Sequence, residues 1–490
     1  MAEIMTGKVA LLEMLKAEGV THIFGNPGTS EAPIIDLLPD YPEFTYIMAL
    51  QESVAVGMGE AFARAIQRPA FVSLHVDSGL ANGIALMLDA LNSGTPMVVT
   101  SANYDIRKVV EGTTDLAELV KPVTKWSIQL THPDQIPGAI RRAFNEANTH
   151  PKGPVYIGLT ANALEDSAEM NIVPSSIRSE KIRPDLDSIK QAGETLVNAE
   201  NPALIVGDRV SDDDAVAEAV ELAEKLGLPV YQYRGAEVSF PTTHPQYLGI
   251  MNLRSKGNRE TIRSCDTVLA VGLNAFEELF YWGDVILAEG STLIHIDSSA
   301  VNIGKSEPTQ IGIISHCKTA LHDLNEDVSN RLGQLDSAVI ANRLQRTKEE
   351  RAYKNDAFIA STKSKWNHKP MSVSRMMHEF VSGLPENAVV VDDSISNRAI
   401  VREYLRGTNR GDILGYRGQS IGGGIGVTMG AQCGYPDRKV FGLIGDGSAM
   451  MTVQGLWTAV NDNIPCVFVI LNNGMYRVLK VNFNIYQEEI

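Results

Sequence analysis

Acids and amides that directly follow an apolar run invite a chemical reading, because a buried parallel strand delivers the next side chain to the carboxyl edge of its sheet, where ligands bind. Gly445-Asp446-Gly447-Ser448 follows the run Lys439 to Ile444, and Asn472-Asn473 follows Cys466 to Leu471. Val453 to Asn463, between them, carries a helical pattern, so the whole reads as a strand, helix, strand crossover of right-handed sense. Asp446 and Asn473 then project from neighbouring strand ends toward one point. A carboxylate and an amide oxygen are hard donors that suit Mg²⁺ or Ca²⁺, with phosphate oxygens and water completing the shell. The glycines around Asp446 let backbone approach a phosphate, and Ser448 opens a helix whose free N–H groups favour anions. A Gly-Asp-Gly alone is usually a turn. The strand and helix pattern around this one makes it a holder for a metal diphosphate.

The elements that must position this point are strands alternating with helices. In the first third, residues 7 to 18 form an amphipathic helix stopped by Gly19, followed by a strand over Thr21–Phe24 and the loop Gly25-Asn26-Pro27-Gly28. Further strands are expected at Phe44–Ala49, Ala70–His75, Met97–Ser101 and Pro154–Gly158, with helices from Glu52 to about Ala65 and from Ala81 to Leu91. This alternation predicts an α/β protein of three doubly wound parallel-sheet domains, over residues 1–165, 190–330 and 369–490. Residues 163–188 lose periodicity as a linker does, and 330–368 are polar and helix-favouring, a second connector. A doubly wound domain beginning near 369 calls for another strand and helix beyond Ile490, so the third domain reads as truncated.

With 490 residues, several cores are needed. A net charge of −16 argues against nucleic acid or an acidic membrane surface as partner. Cys265, Cys317, Cys433 and Cys466 have neither disulfide nor zinc spacing, no apolar run reaches membrane-spanning length, and the N-terminus lacks a signal-peptide pattern, so a cytoplasmic protein is expected.

Gly-Asp-Gly-Ser followed at this distance by Asn-Asn resembles the diphosphate and metal motif of thiamine diphosphate-dependent enzymes of the pyruvate decarboxylase and acetolactate synthase superfamily. Phe24-Gly-Asn-Pro-Gly-Thr-Ser-Glu31, Leu50-Gln-Glu52-Ser-Val-Ala-Val-Gly57 and Leu74-His75 are similar to the amino-terminal third of benzoylformate decarboxylases. The resemblance implies thiamine diphosphate and Mg²⁺ as cofactors, with Ca²⁺ an alternative ion. Asp446, Asn473 and the carbonyl of Met475 would hold the metal. Gly447, Ser448 and Tyr476 would meet the diphosphate, joined by Ser394 and Ser396, which read equally well as loop or helix-cap residues. Ser420-Ile421-Gly422 occupies the position from which a bulky apolar residue, Ile421, bends the cofactor. The run Gly422 to Gly430 lacks the full dinucleotide spacing and follows no clear strand.

The same resemblance makes Glu52 the carboxylate that bonds the pyrimidine ring of the cofactor and so helps to remove the thiazolium proton. Read alone, Glu52 is a helix-start acid facing the dipole; Glu60 is a weaker candidate on the same helix. His75 read alone is a structural histidine, and the Leu-His match makes it an acid/base group. In the superfamily the glutamate and the diphosphate site come from different subunits, which implies a homodimer or homotetramer. Three departures bear on substrate: Thr29 stands where those decarboxylases carry a serine, Phe276 to Trp282 holds no second histidine, and Asn482 takes an aromatic position.

These readings lead to a 2-oxo acid decarboxylase that releases an aldehyde and CO₂. The alternatives are an acetolactate synthase-like carboligase and a catalytically silent cofactor-binding subunit. No flavin signature stands out in 190–330, so FAD is not expected.

Overall fold

A computed structural model describes residues 2–107, 114–176, 181–274, 276, 281–283, 285–415, 418 and 420–489. Three parallel sheets organise the chain. The first has strand order Thr45–Met48, His22–Gly25, Ala70–Leu74, Met97–Asn103, Pro154–Thr160 and Ser127–Leu130. The second runs Tyr247–Met251, Val230–Tyr233, Pro202–Val206, Thr267–Val271, Thr292–Asp297 and Ile311–Ile314. In the third, Val440–Gly445 lies between Val389–Asp393 and Val467–Leu471, parallel to both. Central strands are apolar along their length because helices cover both faces.

Two compact units carry these sheets: residues 1–178 with 385–396 and 416–490, and residues 179–384 with 397–415. The first and third sheets therefore share one unit. Their common core joins Phe24, Ile47, Val72 and Tyr156 to Ile425, Met429 and Ile444.

The Glu52–Ile66 helix is the hinge of that core. Gln51 caps it by accepting the Val54 N–H at 3.1 Å, and Gln67 ends it in the left-handed region at φ 58°. All residues from Val54 to Arg64 are buried, which an amphipathic surface helix would not allow. One side meets the Ala70–Leu74 strand, where a Cβ at Gly59 would lie 2.6 Å from Val72. The other meets the Gly424–Gly434 helix. There a Cβ would lie 2.7 Å from the Val54 carbonyl oxygen at Gly426, 2.1 Å from that of Met58 at Gly430, and 2.3 Å from the Ala65 methyl at Gly434. The glycine-rich run thus serves backbone contact between two helices.

Two expectations change, and a third, the helix-favouring connector, is borne out. Ser127–Leu130 is an edge strand whose polar alternation hid it. The stretch after 163, expected as a linker, holds the helix Ala161–Glu165 and the strand Ser167–Met170, paired antiparallel with Glu3–Thr6. The second connector is one helix, Ser337–Ser364, anchored through the buried Arg343, whose guanidinium donates at 2.9 Å to the carbonyl of Leu226, the last residue of the Val216–Leu226 helix. Such a guanidinium satisfies helix-end carbonyls that have no partner inside their own helix.

Gly430→Ala should lower unfolding stability by about 1–3 kcal/mol, since its methyl meets fixed backbone. Gly383→Ala, where a Cβ would meet nothing within 4 Å, serves as control. Thermal denaturation of both variants checks this; a Gly430→Ala midpoint equal to the parent's speaks against the packing.

Candidate active site

Gly445 and Leu471 are paired in register at the ends of adjacent strands, so the residues after them emerge side by side. Asp446 begins the Asp446–Met451 helix, and its Oδ2 accepts the Gly474 N–H at 3.1 Å. Asn473 Oδ1 accepts the Met475 N–H at 2.9 Å, and Asn472 Oδ1 also bonds Gly474 N, at 3.0 Å. Asp446 is thereby tied to the residue next to Asn473. Its Oδ1 takes no hydrogen bond among the described residues. Met475 and Tyr476 follow on the same turn, exposed at 49% and 55%. A carboxylate, an amide oxygen and a backbone carbonyl make an all-oxygen set that fits a hard divalent cation. A Cβ at Gly447, in the first turn of the Asp446–Met451 helix, would meet nothing within 4 Å, which leaves room for a phosphate to approach the backbone there.

The serines are less open. Ser448 is buried, donates to Asp393 Oδ2 and accepts the Gly422 N–H at 3.0 Å. Ser394 is buried too, with its hydroxyl donating to Asp392 Oδ1 at 2.6 Å. Ser396 is half-buried in the turn Ile395–Asn397. In that turn Ile395 has φ 45°, a strained value for a β-branched residue, at the carboxyl edge of the sheet. Ser420 bonds to the Asp77–Ser93 helix, and Ile421 beside it is half-buried.

Glu52, 5% exposed, opens its helix with both oxygens held: the Asn26 amide donates to Oε1 at 2.9 Å and the Asn82 amide to Oε2 at 3.0 Å. These two donors come from the loop after the His22–Gly25 strand and from the Asp77–Ser93 helix. His75 follows the Ala70–Leu74 strand. Its Nδ1 lies 2.9 Å from Glu31 Oε2 and 3.1 Å from Ser30 Oγ, with the side chain 32% exposed and Nε2 free of partners among the described residues. Glu31 is 1% exposed and also accepts the N–H groups of Gly28 and Ala102, each at 2.9 Å. It thus clamps one strand-end loop, the end of the Met97–Asn103 strand and one imidazole. Tyr46 stands over Gly25 with its hydroxyl unpartnered among the described residues; burial, and behind it the Glu31 charge, pushes that phenol above its ordinary range and keeps it a neutral donor.

Gly79 brings the two halves together. A Cβ there would lie 2.7 Å from Glu52 Oε1 and 2.8 Å from the Cβ of His75, so both side chains flank one backbone point. Glu60 is different: it bonds Arg64 at 3.3 Å and Thr95 at 3.2 Å inside the core. Asp77 accepts from Ser78 N and from Thr114, leaving His75 to Glu31. The segment 277–280, within the stretch that lacks a second histidine, lies outside the described residues. Asn482 sits on the Arg477–Glu489 helix.

Sequence reasoning missed Glu31, Asn26, Asn82 and Asp393. For Asn26 and Glu31 a signal existed, since both sit in the breaker loop at a strand end. Nothing local marked Asn82 or Asp393, because their partners are distant in the chain.

Residues 5–121 match the thiamine pyrophosphate enzyme N-terminal TPP-binding domain, 189–324 the central domain and 399–489 the C-terminal TPP-binding domain. Benzoylformate decarboxylase of Pseudomonas aeruginosa is 30% identical over 481 residues, covering 96% of this chain and 86% of that protein. A probable acetolactate synthase large subunit of Methanocaldococcus jannaschii is 26% identical over 98% of this chain and 82% of its own. Among solved structures, a thiamine diphosphate-dependent 4-hydroxybenzoylformate decarboxylase of Rhodococcus jostii superposes with TM-score 0.84 at 27% identity, over 99% of this chain and 89% of that one. The chain belongs to the thiamine diphosphate-dependent enzyme family.

Proposed function

We propose that this protein is a thiamine diphosphate- and Mg²⁺-dependent decarboxylase that converts a 2-oxo acid to an aldehyde and CO₂. The observation that carries the reading is the pairing of Glu52 and His75 across Gly79, each held by its own polar clamp. Thiamine diphosphate, when bound, supplies a nucleophilic carbon and a sink for the electrons released with CO₂.

The chain's own residues do the rest. Asp446, Asn473 and the Met475 carbonyl hold the metal, while Gly447, Ser448 and Tyr476, with Ser394 and Ser396, surround the diphosphate. Ile421 supplies an apolar support and Ser420 positions it. Glu52, whose direction two amide donors fix, would hold a proton toward the pyrimidine ring of the bound cofactor. His75, with Nδ1 occupied by Glu31 and Ser30, presents Nε2 to protonate or deprotonate the substrate-derived oxygen. The active assembly is a homodimer or homotetramer, and the protein works in the cytoplasm.

Likeness to acetolactate synthases at 24–26% identity keeps carboligation as the runner-up. Product analysis separates the two: CO₂ with free aldehyde from a panel of aryl and alkyl 2-oxo acids supports decarboxylation. A 2-hydroxy-2-acyl acid as sole product favours ligation, and no turnover of any acid sinks both.

Glu52→Gln should reduce turnover by about 10²–10⁴-fold, the range for loss of a positioned acid/base, with cofactor affinity changed far less. Single-turnover kinetics beside a binding titration check this. His75→Ala should cost about 10²-fold in kcat, and Glu31→Gln should shift the pH profile of kcat, because the partner that fixes the imidazole proton changes. A Glu31→Gln profile identical to the parent's would remove Glu31 from the reading. Asp446→Ala, or chelation of the metal, should abolish tight thiamine diphosphate binding measured by tryptophan fluorescence.

A further inference from the structure

The Asp77–Ser93 helix turns two acceptors, one helical turn apart, toward the segment that ends in Ile421. Asp89, 6% exposed, accepts the Ser420 N–H at 3.2 Å through Oδ1, and the Ala85 carbonyl accepts the Ser420 hydroxyl at 2.9 Å. Gly418 is what lets the segment settle there, for a Cβ at that position would lie 1.7 Å from Asp89 Oδ1. Beyond Ile421 the backbone is fixed again. Gly422 takes φ 100°, donates its N–H to Ser448 Oγ at 3.0 Å and accepts the Thr452 hydroxyl at 2.5 Å on its carbonyl. Ile421 is thus gripped before by a helix of the first sheet and after by the turn that carries Asp446.

We infer that Asp89 is a positioning residue that sets where Ile421 stands in the cofactor site, without itself touching cofactor or substrate. The inference rests on the proposed role of Ile421. An apolar support acts through its position alone, so a loosened tether degrades it as surely as a smaller side chain does. Asp89 sits on the helix that also supplies Asn82 to Glu52.

The test uses the full chain with Mg²⁺ and thiamine diphosphate, reading deuterium exchange at the thiazolium carbon and the cofactor dissociation constant. Ile421→Ala and Asp89→Ala should each slow exchange about tenfold or more, as misplacement by about an ångström does. The double variant should be no more than about twofold slower than the worse single, because both changes remove one interaction. Asp89→Asn, whose amide oxygen still accepts the Ser420 N–H, should recover most of the rate. Additive losses, or parental exchange in Asp89→Ala, overturn the inference and leave Ile421 in its role. Parental exchange in Ile421→Ala overturns both. Should Asp89→Ala fail to fold, Gly418→Ala presses a methyl against the same carboxylate and is held to the same criteria.

Discussion

Between the Glu52–Ile66 and Gly424–Gly434 helices the contact is made by backbone, through Gly57, Gly426, Gly430 and Gly434. Close contacts advance in the same direction along both, from Val54 with Gly426 to Met58 with Gly430 and Ala65 with Gly434, so the helices run parallel. Their N-termini therefore share one end of the core. Glu52 stands at the start of one and Ile421 just before the start of the other. Any side chain larger than hydrogen at the crossing would push Glu52 away from the third sheet.

Buried acids serve as the joints of this end. Glu31, Glu52, Asp89, Asp392 and Asp393 are each under 9% exposed, and an unpaired charge at that depth is costly. Each is met by N–H or O–H donors. Glu31 gathers Gly28, Ala102 and His75; Glu52 gathers Asn26 and Asn82; Asp393 gathers Gly424 and Ser448. Segments tied in this way are fixed to one another, the kind of preorganisation on which catalysis depends.

The second unit uses strand ends differently. Asp297, fully buried at the end of Thr292–Asp297, is bonded by Arg209 Nε at 2.8 Å and accepts the Ser299 N–H at 2.7 Å. Burial pushes the His295 imidazole below its ordinary range, and its Nε2 lies 3.0 Å from the Leu273 carbonyl. A neutral histidine with a backbone partner is a core element, so the histidine in that strand carries structure.

The sequence by itself determined the three sheets, most of their central strands, and the placement of Asp446 and Asn473 on adjacent strand tips. These depend on local patterns: apolar runs, breakers and the length of one crossover. Edge strands such as Ser127–Leu130 escaped because one polar face erases the pattern. Tertiary structure alone decided what the isolated signals meant. It gave His75 its orientation through Glu31, Glu52 its two amide donors, and the glycines from 422 to 434 their purpose as a helix crossing. The partners in these cases lie tens to hundreds of residues apart, as with Asp89 and Ser420, and short-range pattern carries no information about which distant groups a buried charge will find.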